Sequence, residues 1–372
     1  MFWRKVLAWA ACLGILPLAY ADPDADPVKP DESLVVFPSL CWKDAVTPQW
    51  QADIHAWIYE PPLVEAAAVW AWLVGDEAEP VDDDAGDDLL QERLQWFLVD
   101  NERGKRLRFK IGDASHVTGA SGPDGHVHET VILVDAGVVE AATTARIVNR
   151  APDGREFSGR LDCLPPRGLS VISDIDDTVK ISEVHDKQAL LANTFLRPYR
   201  PVAGMARLYA RLANEREARF HYLSASPWQL YPVLDEFMLA RGFPAGSFHL
   251  KHFRLKDRSF FALFDDPYTY KLEAMEDLLA RLGERDLILV GDSGEQDPEV
   301  YGEIARRYPQ RVRAIVIRDV GVPGAPSRAE RAAVAFAGVE AGRVFWFADA
   351  VPEELAGQLL EAAPDVYANP AP

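Results

Sequence analysis

The sequence predicts two folded parts, a β-rich, sandwich-like domain followed by an α/β domain on a doubly wound, mainly parallel sheet. From Leu169 onward, short apolar runs alternate with helix-length amphipathic stretches, the pattern of a parallel sheet covered on both faces. Between Leu34 and Leu161, seven short runs of strand character are separated by turn residues. A chain of 372 residues, 48% of them apolar, can supply two cores.

In chain order, Met1–Ala21 reads as a secretory signal. Arg4 and Lys5 form its basic start, Val6–Leu18 its apolar centre and Ala19-Tyr20-Ala21 a small-x-small cleavage site. An uncleaved anchor is the alternative, although the centre is short for a membrane span. Residues 22–32 read as a disordered leader. The β-rich domain is placed at 33–163, with strands expected over Leu34–Phe37, Asp53–Tyr59, Gln95–Asp100, Arg106–Ile111, His126–Val134, Ala145–Asn149 and Glu156–Leu161. Leu63–Leu73 reads as a buried helix and Val81–Asp88 as a solvated acidic loop, since its spacing fits no twelve-residue calcium loop. His126 and His128 share a strand face and, with His116, raise a zinc reading. With no fourth ligand nearby in sequence, ordinary surface histidines are preferred. Cys41 and Cys163, the cysteines left after signal removal, are either one disulfide or two buried thiols.

Signal removal takes away Arg4 and Lys5 and moves the net charge from −19 to −21. Such acidity argues against nucleic acid, whose phosphates reward clustered Lys and Arg. It also sets the chain, on average, against an anionic membrane.

In the second domain, 164–365, strands are expected over Leu169–Ile172, Ala218–Leu223, Leu287–Val290, Val312–Ile317 and Val344–Phe347. Helices are expected over Gly204–Glu215, Trp228–Arg241, Tyr270–Leu282, Pro298–Tyr308 and Val351–Ala362, and 366–372 is a tail. The apolar run Leu169–Ile172 leads at once into Asp174, Asp176 and Asp177. Carboxylates crowded at the C-terminal end of a buried parallel strand repel and resist desolvation, and a divalent cation relieves both. Mg²⁺ suits such a site because it takes oxygen ligands, keeps several waters and bridges to phosphate.

Asp174-Ile-Asp176-Asp-Thr178 resembles the first motif of the haloacid-dehalogenase-like phosphatases. Ser224 after a second strand, Lys271 opening a helix and Gly291-Asp292 through Asp297 after a further strand continue the resemblance in order. The words SDIDDT, YLSASPWQLY and LVGDSGEQDPEVY narrow it to the catalytic domain of the actin-patch-type phosphatidate phosphatases, over roughly Leu161–Val351.

The resemblance implies a Rossmann-like sheet with a small cap, a hairpin flap and a helix before Ala218, and phosphomonoester hydrolysis. By it, Asp174 is the nucleophile and Asp176 the general acid and base. Mg²⁺ is held by Asp174, the Asp176 carbonyl and Asp292. Ser224 and Lys271 bind the phosphoryl oxygens, with Asp297 orienting Lys271 from behind. Ser226 is the alternative to Ser224, though it fits better as a cap on the helix near Pro227, and Thr178 braces the first loop through its hydroxyl.

The stretch from His249 to Arg258 is the most basic of the mature chain, carrying Lys251, His252, Arg254 and Lys256, and it runs on to Phe260, Phe261 and Phe264. It reads either as a basic, apolar lip that binds an anionic lipid substrate at a membrane surface or as a solvated strand face. The function expected is therefore a Mg²⁺-dependent phosphatase for phosphatidate or a related lipid phosphate. Alternatives are a soluble or protein-bound phosphomonoester as substrate, or an exported binding module with a vestigial phosphatase fold. The partner of the β domain is not legible.

Overall fold

A computed structural model describes residues 25–43, 47, 49–62, 84–133, 144–252 and 267–363. The signal segment, Leu63–Leu73, Arg254 with the rest of 253–266, and the C-terminal tail lie outside the described residues. Among the described residues no helix is long and apolar enough to cross a membrane.

The N-terminal part is built from β1 (Ser33–Val36), β2 (Ser39–Lys43), β3 (Trp50–Glu60), β4 (Asp100–Asn101), β5 (Arg106–Ile111), β6 (Ala114–Ala120), β7 (His126–Leu133), β8 (Thr144–Arg150) and β9 (Glu156–Leu164). These form one nine-stranded sheet, in the order β1-β3-β2-β9-β8-β5-β6 with β4 and β7 also on β3, rather than two stacked sheets. The reason is the length of β3, whose 11 residues pair with β1 and β2 along one edge and with β7 and β4 along the other. The sheet curls until β6 and β7 meet, where His116 Nε2 lies 2.8 Å from Glu129 Oε1. Leu107, Phe109, Ile54 and Ile147 fill the interior of the curl.

Several expectations are corrected here. Gln95–Asp100 is a 3₁₀ turn at Gln95–Phe97 that follows helix α1 (Asp84–Leu94), so Asp84–Asp88 is helical rather than loop. Buried Leu90, Leu94 and Phe97 take this segment onto the core between the two parts, and tertiary packing overrides its local signals. β2 and β6 are additional to the expected strands; β6 is polar and buries only Thr118 fully, which conceals it from a hydrophobicity reading. The leader is ordered from Asp26: its carboxylate accepts from Arg106 N at 2.9 Å, Val28 is buried, and Arg155 donates to the carbonyls of Lys29 and Glu32. Cys41 and Cys163 are register partners on the parallel pair β2–β9, and both are buried free thiols.

The second part holds β10 (Leu169–Ser173), β11 (Arg219–Pro227), β12 (Gly246–Lys251), β13 (Asp286–Asp292), β14 (Val312–Arg318) and β15 (Val344–Phe347). All neighbours pair in parallel, in the order β12-β11-β10-β13-β14-β15. Numbered within this sheet the order is 3-2-1-4-5-6, so the direction of winding reverses between β10 and β13, where α/β sheets open a crevice at the strand ends. β10 and β13 are buried throughout, as a double-covered central pair requires.

Helices α2 (Lys187–Leu191), α3 (Met205–Arg216), α4 (Tyr231–Ala240), α5 (Pro267–Arg281), α6 (Asp297–Arg307), α7 (Arg328–Ala335) and α8 (Leu355–Ala362) connect and flank the strands. Between β10 and α3 only the base of the expected hairpin forms, Ile181 N donating to Arg200 O and Val202 N to Val179 O, both at 2.9 Å. The loop it closes holds α2, started by the Asp186 side chain accepting from Gln188 N and Ala189 N, and a π-helical turn at Ala192–Leu196. Phe37, Trp57 and Leu94 share one core with Leu169, Phe195 and Trp228, so apolar packing runs across the junction of the two parts.

Candidate active site

Buried Arg285 anchors the strand that carries the first carboxylates, donating to the carbonyls of Pro165, Arg167 and Leu169 and to Ser170 Oγ. With β10 so fixed, Asp174 N donates to Val290 O at 2.9 Å, placing the Asp174 side chain beside the end of β13. Asp177, at φ 57°, turns the chain back; its carboxylate accepts from Ser182 N and Val184 N, and Arg318 donates to its carbonyl at 2.7 Å.

Two buried charge clusters follow. In the first, Lys271 Nζ lies 3.0 Å from Asp174 Oδ1, 2.7 Å from Glu295 Oε2 and 2.6 Å from Asp297 Oδ1. Burial opposes the Lys271 charge, but Asp174, Asp297 and Glu295 push its pKa well above the ordinary lysine value, so it stays an ammonium. In the second, Asp176 Oδ1 accepts from Lys180 Nζ at 2.6 Å and Ser182 Oγ at 2.7 Å. Its Oδ2 accepts from Ser224 Oγ at 2.9 Å and Ser226 Oγ at 2.7 Å. Burial raises the Asp176 carboxyl, yet Lys180 and these hydroxyls outweigh it and hold the group below the usual carboxylate range.

Asp174 and Asp292 behave oppositely. Burial, joined by Asp297 and Glu295, pushes both carboxyls well above their usual range despite Lys271. Asp174 Oδ2 and Asp292 Oδ2 are buried and have no hydrogen-bond partner. Two orphaned carboxylate oxygens at the ends of adjacent strands, in a cluster with excess negative charge, fit a hard divalent cation with oxygen ligands. Asp174, Glu295 and Asp297 also bring ligand oxygens within 4.8 Å of one another, but that triangle already encloses the Lys271 ammonium. Gly291 precedes Asp292 because a Cβ there would run into the Asp297 carboxylate.

Residues 169–319 match the family described as phosphatidate phosphatase APP1, catalytic domain. This stretch belongs to that family. The phosphatidate phosphatase APP1 of Saccharomyces cerevisiae is 32% identical over 250 residues, covering 62% of this chain and 41% of the relative. An uncharacterized protein of Schizosaccharomyces pombe is 30% identical over 191 residues, covering 50% of this chain and 30% of the relative. The chain thus spans less than half the length of both curated relatives. A solved flavohemoglobin from Malassezia yamatoensis aligns at 9% identity and TM-score 0.18, covering 85% of this chain and 60% of that one, and carries no argument.

Within the APP1-family stretch, the structure brings Asp174, Asp176, Ser224, Lys271, Asp292 and Asp297 together at one end of the parallel sheet. Asp176 is fully partnered, by Lys180, Ser182, Ser224 and Ser226. Two expectations change. Ser226 caps no helix: its hydroxyl joins Ser224 on Asp176, and its N–H donates to Ser224 Oγ. The Thr178 hydroxyl is buried with no partner, so it does not brace the loop. Lys251 ends β12, with Nζ 5.6 Å from the ring centre of Tyr270, the residue before Lys271; Arg254 is outside the described residues.

Sequence reasoning missed Lys180, Ser182 and Glu295. Lys180 lies four residues after Asp176 and Glu295 two before Asp297, and motif spacing alone does not distinguish such neighbours from solvated charges.

Proposed function

We propose that this protein is a Mg²⁺-dependent phosphatase for phosphatidate or a related lipid phosphomonoester, working through an aspartyl-phosphate on Asp174. Asp174, with Oδ1 tied to Lys271 and Oδ2 buried and unpartnered, carries the reading. The Asp174 carboxylate, held beside the Lys271 ammonium, can give one oxygen to phosphorus and the other to the cation, and its attack divides one difficult displacement into two. Mg²⁺ would be held by Asp174, Asp292 and the Asp176 carbonyl, and when bound it supplies charge neutralisation on the phosphoryl group.

The chain's own residues do the rest. Lys271, locked by Glu295 and Asp297, and Ser224 bind the non-bridging oxygens. Asp176 is a carboxylate before substrate arrives. An anionic phosphoryl group entering beside it raises its proton affinity, as like charge does for any carboxyl, and readies it to protonate the leaving alkoxide. It then takes a proton from the water that hydrolyses the aspartyl-phosphate.

The same reading makes the parallel-sheet part a haloacid-dehalogenase-like domain over 164–365, with the short 181–204 segment as its cap. It makes the curled sheet of 33–163 an accessory module and Met1–Ala21 an export signal that directs the mature chain to the periplasm or outside the cell. Lys251 at the end of β12, with Arg254 and Lys256 after it in sequence, would hold the anionic surface of a lipid substrate.

The test is hydrolysis by purified mature protein of phosphatidate in mixed micelles and of soluble phosphomonoesters, with Mg²⁺ or with chelator. Mg²⁺-dependent phosphate release with preference for phosphatidate is expected. Preference for soluble esters would reassign the substrate, and full activity in chelator would refute the metal dependence.

A further inference from the structure

Away from the carboxylate site, four of the chain's eight histidines meet where the curled sheet touches the parallel one. His55 stands on β3 and His126 opposite it on β7, both buried, while His252 follows directly after β12. His55 Nε2 and His126 Nδ1 face each other at 3.0 Å. One nitrogen from each of His55, His126 and His252 lies within 4.8 Å of the others. A zinc ion with Zn–N bonds of about 2.0–2.1 Å sets its tetrahedral ligands roughly 3.3 Å apart, so the two buried rings need almost no movement to share one ion.

The rings are also held in place. His126 stacks on Phe37 at 5.7 Å and on Trp57 at 5.5 Å, and Trp228 meets His55 edge-on at 4.4 Å. Asp124 Oδ1 accepts from His126 N at 3.3 Å, and its Oδ2 lies 3.4 Å from His252 Nδ1. That carboxylate orients the outermost ring and offsets part of a cation's charge, as carboxylates do behind metal-bound histidines.

We propose that His55, His126 and His252, supported by Asp124, bind one Zn²⁺ or a like imidazole-preferring cation, which clamps the end of β12 to the curled sheet. Imidazole nitrogens select such ions over Mg²⁺, so this centre is chemically separate from the carboxylate site. The histidine set differs from the one the sequence suggests. His126 is buried rather than a surface residue, His116 is engaged by Glu129, and His128, cross-strand from His55, stacks on it at 4.7 Å.

The test uses full-length mature protein without a polyhistidine tag, stripped by chelator and kept in excess Mg²⁺ to occupy the carboxylate site. Titration with Co²⁺ is expected to give visible ligand-field absorption that saturates at one ion per chain and is displaced by one equivalent of Zn²⁺. Zn²⁺ alone is expected to raise Tm. His252 is exposed, so His252→Ala should melt like the metal-free wild type yet bind Zn²⁺ at least tenfold more weakly and lose the absorption. Asp292→Asn should keep both. Absence of one-to-one binding in the wild type, or unchanged affinity in His252→Ala, would overturn the proposal.

Discussion

Replacing Asp292 by asparagine should stabilise the metal-free protein and remove its response to Mg²⁺. Asp292 Oδ1 accepts from Gly294 N, a bond that an asparagine Oδ1 keeps. Its Oδ2 is buried without a partner, and burial together with Asp297 pushes the carboxyl well above its usual range. A neutral amide relieves that repulsion. Leaving a buried polar group unsatisfied costs about 1–3 kcal/mol, and 1 kcal/mol is about 2–4 °C for a domain of this size. Asp292→Asn in chelator should therefore melt roughly 4–8 °C higher, taking ~2 kcal/mol as the midpoint. In Mg²⁺ at 100 times its dissociation constant the wild type gains about 2.7 kcal/mol and overtakes or equals the variant, which gains nothing. Scanning calorimetry in chelator and in Mg²⁺ reads all four values. A variant that melts lower in chelator, or keeps the wild-type Mg²⁺ shift, would refute the view that Asp292 is strained without metal and holds the ion.

The other predictions address the remaining site residues. Asp174→Asn should abolish phosphate release while leaving the fold intact, whereas Asp176→Asn should trap phosphate on the protein; mass spectrometry after rapid mixing separates the two. Lys180→Met removes the ammonium that holds Asp176 low. A depressed carboxyl adds stability above its unfolded pKa of about 3.9 and loses it as pH falls through the folded value, so the variant's deficit in urea unfolding should be full at pH 7 and shrink below about pH 4. A constant deficit would assign it to packing. Neutralising Lys251 and Arg254 together should slow phosphatidate turnover in vesicles several-fold more than turnover of a short soluble ester, each cation near an anionic surface being worth about 1 kcal/mol. An equal loss on both substrates would move these residues to the phosphoryl site or the fold.

Much of the parallel-sheet part is legible because its strands are short, apolar and buried on both faces, and because the acidic clusters come directly after them. Leu169–Ser173 into Asp174 and Leu287–Val290 into Asp292 show both features in the sequence. Less legible are the residues whose roles arise from chain reversal. The turn at Asp177 sets Lys180 and Ser182 against Asp176, and only the packed position of β11 brings Ser226 to the same carboxylate. The hydroxyl of Thr178, in the motif itself, has no hydrogen-bond partner.

By itself the sequence determined the alternation that makes a parallel sheet, the order of the acidic and basic motifs and the acidity that argues against nucleic acid. These are local or compositional, set by side-chain period and charge count. Tertiary structure alone decided that the upstream strands close into one curled sheet, that a single core crosses to the parallel sheet, and that His55, His126 and His252 meet. Those contacts join residues 71 to nearly 200 positions apart, and no period or spacing encodes them. They form because burying Trp57, Phe37 and Trp228 at one junction brings together whatever polar side chains lie beside them.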